Sequence, residues 1–170
     1  MHIDYDVISA LPLAFSYYAL VGPFTPRQRI FLFLGFFLSG QSSRQIKQWT
    51  NTSEFFRKMT RRPGVSKCDL LSQEVCTTKD PGFPSGHMTV TTFFIAAMIR
   101  HEMRQKKISF RTYLETHPWQ ALIHAVVWVA MAMARIQKKA HTEVQVFAGT
   151  ILGLAVYFVM EKMEDRLFSA

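Results

Sequence analysis

The chain has 170 residues, 49 % of them hydrophobic, and carries a formal net charge of +8 at pH 7. A soluble domain of this length would have an unusually apolar core, because small domains leave much of their surface in water. The basic residues lie mainly between apolar runs and form no recognisable nucleic-acid-binding module. We therefore expect anionic lipid headgroups or phosphate compounds as partners, and not nucleic acid.

Stretches without charged side chains divide the chain into five apolar runs, at 7–26, 30–43, 81–99, 117–134 and 144–160. A bilayer crossing takes roughly 17 to 25 mostly apolar residues, and four of these runs are long enough. The second run could be a buried or re-entrant helix. We expect it to span as well, since Arg29 and Arg44 can extend from its ends to the two interfaces.

We predict an all-α fold, an integral membrane bundle of about five transmembrane helices that forms one domain over residues 1–170. The helices are expected at about 7–24, 28–48, 85–104, 118–137 and 142–166, with a long connection at about 49–84. A soluble helical bundle would need polar residues along one face of each helix, and the last two runs have no such face. Gly149 and Gly153 have the spacing that lets two helix backbones approach closely.

Five crossings would place the 49–84 connection and the turn at 138–141 on the same side of the membrane, because two crossings separate them. Basic residues divide almost evenly between the two sides, so the positive-inside rule leaves the orientation open. A glycan on Asn51, or a disulfide between Cys68 and Cys76, would require a lumenal or exoplasmic face. We expect a multi-pass protein of the endoplasmic reticulum, another internal membrane or the plasma membrane.

Three polar clusters flank the apolar runs on that side: "TRRP" at 60–63, "PSGH" at 84–87 and "ARIQKKAHTEVQ" at 134–145. Each has a simple structural explanation. Arg62 could anchor the chain at the interface, Ser85 could cap a helix, and Arg135 could complement the last carbonyls of one. Thr142 and Gln145 form the pattern of a capping box at the start of the last helix.

Together, the three clusters supply what phosphoryl transfer requires. The transferred group carries charge on its equatorial oxygens, so it needs fixed cations and backbone N–H donors as well as a nucleophile and an acid. Arg62 and Arg135 suit bidentate phosphate contacts, and Ser85 with Gly86 offers a hydroxyl and amides at a helix start. Two further residues, His87 and His141, could attack phosphorus and protonate the leaving oxygen.

No metal or other cofactor is expected, because the chain has no H-E-x-x-H, no C-x-x-C and no carboxylate cluster suited to Mg²⁺. The three clusters resemble the signature motifs of the type 2 phosphatidic acid phosphatase superfamily, K-x6-RP, PSGH and SR-x5-H-x3-D. The resemblance covers about 60–149 and implies a helical core, shared with haloperoxidases, whose site lies near the membrane surface. It implies that His141 is the nucleophile and that His87 protonates the leaving group and later activates water. The residues implied to hold the phosphate are Arg62, Ser85, Gly86 and Arg135.

The first motif is incomplete, because the lysine expected seven positions before Arg62 falls on Phe55. Lys47 or Lys58 would have to take its place. We favour Lys47, since the family's lysine lies at the end of the corresponding helix and the connection looks lengthened here.

The third motif departs from the pattern at two positions. Ala134 replaces the serine before Arg135 and removes at most one hydroxyl from the phosphate site. Gln145 replaces the aspartate, and its neutral amide can orient the imidazole of His141 without stabilising its positive charge. The dolichyl diphosphate and glucose-6-phosphate phosphatase branches are similar here. We expect that one side chain cannot easily both cap the helix and orient the imidazole.

The sequence thus predicts a membrane phosphatase for a lipid phosphate or a polyprenyl diphosphate of the dolichyl type, with membrane lipids as further partners. Phosphatidate or another glycerolipid phosphate is the alternative substrate. A haloperoxidase has a similar anion site but is soluble, which the five apolar runs argue against. A catalytically silent membrane scaffold is the alternative from another class, although a charge such as Arg135 at the end of an apolar helix is easier to explain if it binds something. The oligomeric state stays open.

Overall fold

The computed structural model describes residues 5–52, 54, 60–64, 66–67, 75–76 and 80–168. Within them the helices are α1 (Tyr5–Ser9), α2 (Leu11–Val21), α3 (Pro26–Thr52), α4 (Gly86–Lys106), α5 (Phe110–Thr116), α6 (Pro118–Gln137) and α7 (Glu143–Phe168). Between α3 and α4, β1 (Ser66–Lys67) pairs antiparallel with β2 (Val75–Cys76). The predicted helical class is confirmed.

The helix predicted at 7–24 is wrong, because this run forms two short helices that separate at Ala10. Pro12 lies in the first turn of α2 and explains the break. Its nitrogen carries no hydrogen, and its ring would clash with a carbonyl four residues earlier in a continuous helix. With 11 residues, α2 is about 16 Å long, which is shorter than a bilayer crossing.

Two helical segments of the described chain are long and apolar enough to cross a membrane, Pro118–Gln137 and Glu143–Arg166. These match the predicted helices at 118–137 and 142–166. Helices α3 and α4 are also long, at 27 and 21 residues, but they include several basic side chains. The predicted bundle of five crossings is therefore not confirmed, whereas two apolar helices are consistent with membrane association.

Helix α4 lies at the centre of the bundle and packs against α3, α6 and α7. The contact with α7 is close because two glycines of α7 face it. A Cβ added to Gly149 would lie 2.4 Å from the Ser85 carbonyl oxygen, and one added to Gly153 would lie 2.5 Å from the Thr89 carbonyl oxygen. The close backbone approach predicted from the glycine spacing is confirmed.

Ion pairs join three helices at one end of the bundle. The Glu164 carboxylate near the end of α7 lies 2.9 Å from Arg27 Nε of α3 and 2.8 Å from Arg104 Nη1 of α4. Arg100 pairs with Glu161 in the same region. At the other end, α3 and α6 end while α4 and α7 begin, so the polar clusters of the sequence are brought to that end.

Candidate active site

The three polar clusters are joined by backbone hydrogen bonds at this end of the bundle. The Gly82 N–H donates to the Thr60 carbonyl at 2.7 Å, which links the segment before α4 to the "TRRP" cluster. The Ser85 N–H donates to the Gln145 carbonyl at 2.9 Å. The start of α4 is thereby tied both to the first cluster and to the first turn of α7.

His141 lies in the turn between α6 and α7 and is 2 % exposed. Its Nδ1 is 2.8 Å from the Gly82 carbonyl oxygen and 3.2 Å from Gln145 Oε1. Because both of these atoms are acceptors, Nδ1 carries the ring hydrogen and donates it. Nε2 therefore keeps its lone pair, which is the state that a nucleophilic imidazole requires.

The Gln145 side chain uses both ends of its amide. Nε2 donates to the Thr60 carbonyl at 3.1 Å and to the Arg61 carbonyl at 2.9 Å, which fixes the orientation of the amide. Oε1 accepts from the Thr142 N–H at 3.2 Å, and Thr142 Oγ1 accepts from the Gln145 N–H at 3.3 Å. The capping box is present, and the same Oε1 also contacts His141. The expectation that Gln145 cannot easily serve both purposes is wrong.

Positive charges surround His141. Burial first, and then the charges of Arg135, Arg62 and Lys47, hold the pKa of His141 well below its ordinary value of 6.5, while the hydrogen bond with Gln145 acts in the opposite direction. Both burial and cationic neighbours disfavour a protonated imidazole. The ring is therefore neutral at pH 7, and its Nε2 lone pair is available for attack.

Lys47 lies at this site together with the first residue of α4. A Cβ added to Gly86 would lie 3.9 Å from Lys47 Nζ and 3.2 Å from Ser43 Oγ, and both of these residues belong to α3. The sequence interpretation that favoured Lys47 for the first motif is consistent with this placement. Lys58 and Phe55 lie outside the described residues.

Ser85 occupies the N-cap position of α4, but its side chain makes no capping hydrogen bond. The hydroxyl is fully buried, and no described residue forms a hydrogen bond with it. The simple explanation of this serine as a helix cap therefore does not account for its hydroxyl. A buried hydroxyl without a partner is costly, so it suits a site that an anion fills.

Arg135 lies in the last turn of α6 and is 1 % exposed. Its Nη1 donates to Ser9 Oγ at 3.3 Å, and its carbonyl accepts from the Ala140 and His141 N–H groups. Helix α1, which is too short to cross a membrane, thus supports the guanidinium. The sequence interpretation missed this contact, because Ser9 and Arg135 are 126 positions apart.

His87 is the second residue of α4. It lies within electrostatic range of Arg135, Lys47, Arg62 and Lys138, the first three of which also act on His141. The two histidines therefore face a common group of cations. The structure brings together all the residues that the sequence predicted for the site, namely Lys47, Arg62, Ser85, Gly86, His87, Arg135, His141 and Gln145.

A cavity of about 520 Å³ is lined in part by His141. Its wall includes the apolar side chains of Pro63, Ile136 and Val144, and the oppositely charged residues Lys139 and Glu143. The volume exceeds what a phosphate group needs, so the cavity has room for part of an organic substituent. Among the residues that the structure describes, no group of three or more His, Cys, Asp or Glu side chains could hold a metal ion.

The chain was compared with known families, curated proteins and solved structures. The model of the PAP2 superfamily matches residues 36–168, which include α4, α6, α7 and every residue predicted for the site. No curated protein and no solved structure matches the chain. Because the matched segment is most of the chain and includes all three motifs, the chain belongs to the PAP2 superfamily.

Proposed function

We propose that the chain is a membrane phosphatase that hydrolyses a lipid phosphate or a dolichyl-type polyprenyl diphosphate through a phosphohistidine, without a metal. Members of the superfamily are phosphatases, so membership supports phosphoester hydrolysis in general. The hydrogen bonding of His141 carries the more specific proposal. Its Nδ1–H is held by Gly82 and Gln145, which leaves Nε2 free to react beside several cations.

In the first step, His141 Nε2 attacks phosphorus as the bond between phosphorus and the leaving oxygen breaks. The same cations disfavour a protonated His87 in the empty site, and the bound anionic phosphate offsets their charge. His87 can then carry a proton and donate it to the leaving oxygen, so that the product leaves as a neutral alcohol or as a protonated phosphate. The positive charge that develops on the His141 ring is stabilised through its Nδ1–H by the Gly82 carbonyl and the Gln145 amide oxygen. These acceptors are neutral, so they fix the ring's orientation more than they offset its charge.

In the second step, water attacks the phosphorus of the phosphohistidine and the bond to Nε2 breaks. His87, now neutral, accepts a proton from that water, and inorganic phosphate leaves. His141 returns to the tautomer in which Nδ1 carries the hydrogen, because Gly82 still accepts it. Each histidine thus ends the cycle in its starting state.

Three cations and the start of α4 would hold the transferred group. Arg62, Arg135 and Lys47 act electrostatically on both histidines and would offset the charge of the equatorial oxygens. The buried Ser85 hydroxyl and the Gly86 N–H would donate to two of these oxygens. Ser85 and Arg135 are already buried before substrate arrives, which lowers the reorganisation needed in the transition state.

The outer surface of the bundle supports a lipid environment. Apolar side chains that are more than half exposed occur on three long helices: Ile30, Phe33 and Phe37 on α3, Ile123 and Val126 on α6, and Phe147, Ile151, Phe158 and Val159 on α7. Such a surface is unfavourable in water and is covered in a bilayer. The superfamily is commonly membrane-bound, and a substrate with a lipid tail would share that environment.

The test is phosphate release by the detergent-purified full chain from a polyprenyl diphosphate, from phosphatidate and from a soluble phosphomonoester, each with chelator. We expect activity that survives chelation, is blocked by orthovanadate and is highest on the polyprenyl diphosphate. His141→Asn should abolish it, whereas His117→Asn, at the junction of α5 and α6, should not. Inactivity on all three substrates would favour the silent scaffold, and full activity of His141→Asn would exclude the phosphohistidine.

The role of His87 has a separate test. His87→Asn should lose most of its activity on alkyl phosphates and much less on nitrophenyl phosphate, because a good leaving group needs no proton. The phosphorylated enzyme should also accumulate in this variant, since water attack would then be slow. Equal losses on both substrates would assign His87 to phosphate binding instead.

A further inference from the structure

Ser43 of α3 is a polar residue at the site that none of the three motifs includes. It is 1 % exposed, and its hydroxyl has no hydrogen-bond partner among the residues that the structure describes. Hydroxyls on helices commonly bond back to the carbonyl four residues earlier. Ser16 does so to Pro12 at 2.9 Å, and Thr89 does so to Ser85 at 3.0 Å. Ser43 makes no such bond, so its hydroxyl is available to another group.

The Ser43 hydroxyl lies next to the first turn of α4. A Cβ added to Gly86 would be 3.2 Å from Ser43 Oγ and 3.9 Å from Lys47 Nζ. Ser43 and Lys47 are four residues apart, so they lie on the same face of α3. The first N–H groups of a helix have no partner within the helix. A hydroxyl and an ammonium therefore lie beside Gly86, at the helix start where the backbone amides lack a partner within the helix.

We propose that Ser43 binds the substrate phosphate by donating its hydroxyl to an oxygen held at the start of α4. This inference rests on the proposed function. A hydrogen bond to a charged oxygen is stronger than one between neutral groups, and an unpartnered buried hydroxyl is unfavourable in the empty site. The phosphate would thus supply the partner that Ser43 lacks. It would meet two buried hydroxyls, from Ser43 on α3 and from Ser85 at the start of α4.

This assignment also bears on a departure of the third motif. The pattern has a serine before Arg135, whereas this chain has Ala134, which is fully buried. A hydroxyl is therefore missing on the α6 side of the site. Ser43 supplies one from α3, so the number of hydroxyl donors around the phosphate is kept while their direction changes.

Ser39 provides a matched control on the same helix. It is fully buried, and its hydroxyl also lacks a hydrogen-bond partner within the described part of the chain. It lies about one helical turn, roughly 6 Å, farther from the end of α3 than Ser43 does. Removal of either hydroxyl makes the same chemical change in the same helix, but only Ser43 lies beside Gly86.

The experiment measures thermal unfolding of the detergent-purified full chain with increasing orthovanadate and, separately, inorganic phosphate. Without anion, Ser43→Ala and Ser39→Ala should unfold at the same temperature as the unchanged chain or higher, because each loses an unpartnered buried hydroxyl. With orthovanadate, Ser43→Ala should show a Kd about tenfold to a hundredfold higher, whereas Ser39→Ala should keep the original Kd. Ser43→Cys, similar in size but a weaker donor, should lie between.

Three results would overturn the inference. If the unchanged chain and Ser43→Ala bind orthovanadate equally well, Ser43 takes no part in binding, while the proposed function stands. If Ser39→Ala and Ser43→Ala lose affinity equally, the effect comes from helix packing. If the unchanged chain binds neither anion, the proposed function and this inference both fail.

Discussion

Gln145 connects all three motifs, so its replacement by the aspartate of the family pattern is an informative perturbation. Its side chain donates to the carbonyls of Thr60 and Arg61 and accepts from Thr142 and His141. A carboxylate can only accept hydrogen bonds. Replacement by Glu would preserve the length and lose both donors, and replacement by Asp would also shorten the side chain by one methylene group.

The expected loss follows from these contacts. The Thr60 carbonyl keeps the Gly82 N–H as a donor, whereas the Arg61 carbonyl loses the donor that Gln145 supplies. A carbonyl left without its donor costs about 1 to 3 kcal/mol, so Gln145→Glu should lower the free energy of unfolding by about that amount. Gln145→Asp should lose these bonds as well as the side-chain contact with the Thr142 N–H, because shortening takes distances of 2.9 to 3.2 Å beyond hydrogen-bonding range. A negative charge near His141 would favour its imidazolium. We expect misplacement of the ring to outweigh this, and kcat/KM to fall about 10²-fold.

The assays are thermal unfolding and phosphate release for Gln145→Asp, Gln145→Glu and the control Thr142→Ala. The control removes the helix cap, which should cost about 0.5 to 2 kcal/mol, but leaves the contacts of Gln145 with His141, Thr60 and Arg61. Its kcat should therefore stay close to the original value. If Gln145→Asp is as stable as the unchanged chain and more active, the reasoning is refuted.

Other predictions concern packing and protonation near the same residues. Gly82→Ala should abolish activity, because its Cβ would lie 2.5 Å from Gln145 Oε1. Gly40 lies within α3 with open space around its Cβ position, so Gly40→Ala should raise thermal stability slightly. Gly149→Ala should lower the free energy of unfolding by about 1 to 3 kcal/mol in thermal unfolding, since its Cβ would lie 2.4 Å from a carbonyl oxygen of α4, and an unchanged melting temperature would contradict that close contact. The pKa of His141 is lower in the folded chain than in the unfolded one, so the unfolded chain binds an extra proton below pH 6.5. The free energy of unfolding should therefore decrease as the pH is lowered, by up to about 1.4 kcal/mol per pH unit. Thermal unfolding from pH 7 to 5 should show this dependence weakened in His141→Asn, and an equal slope in both proteins would contradict it.

The sequence by itself determined the features that depend on short stretches of chain. Helix α6 begins and ends where the apolar run predicts, and the capping box of Thr142 and Gln145 is present. The break at Pro12 was also accessible, because a proline near the start of a helix is a local signal that the prediction of one continuous helix passed over. Such features need only neighbouring residues, so a pattern a few residues long carries them.

Only the tertiary structure decided how the motifs combine. Gln145 contacts the carbonyl of Thr60, 85 positions earlier, and Arg135 contacts Ser9, 126 positions earlier. The tautomer of His141 follows from the position of the Gly82 carbonyl, 59 positions away. These contacts depend on how the ends of four helices meet, which no single stretch of sequence encodes. Ser43 became a binding candidate for the same reason, since the packing of α3 on α4 places its hydroxyl beside Gly86.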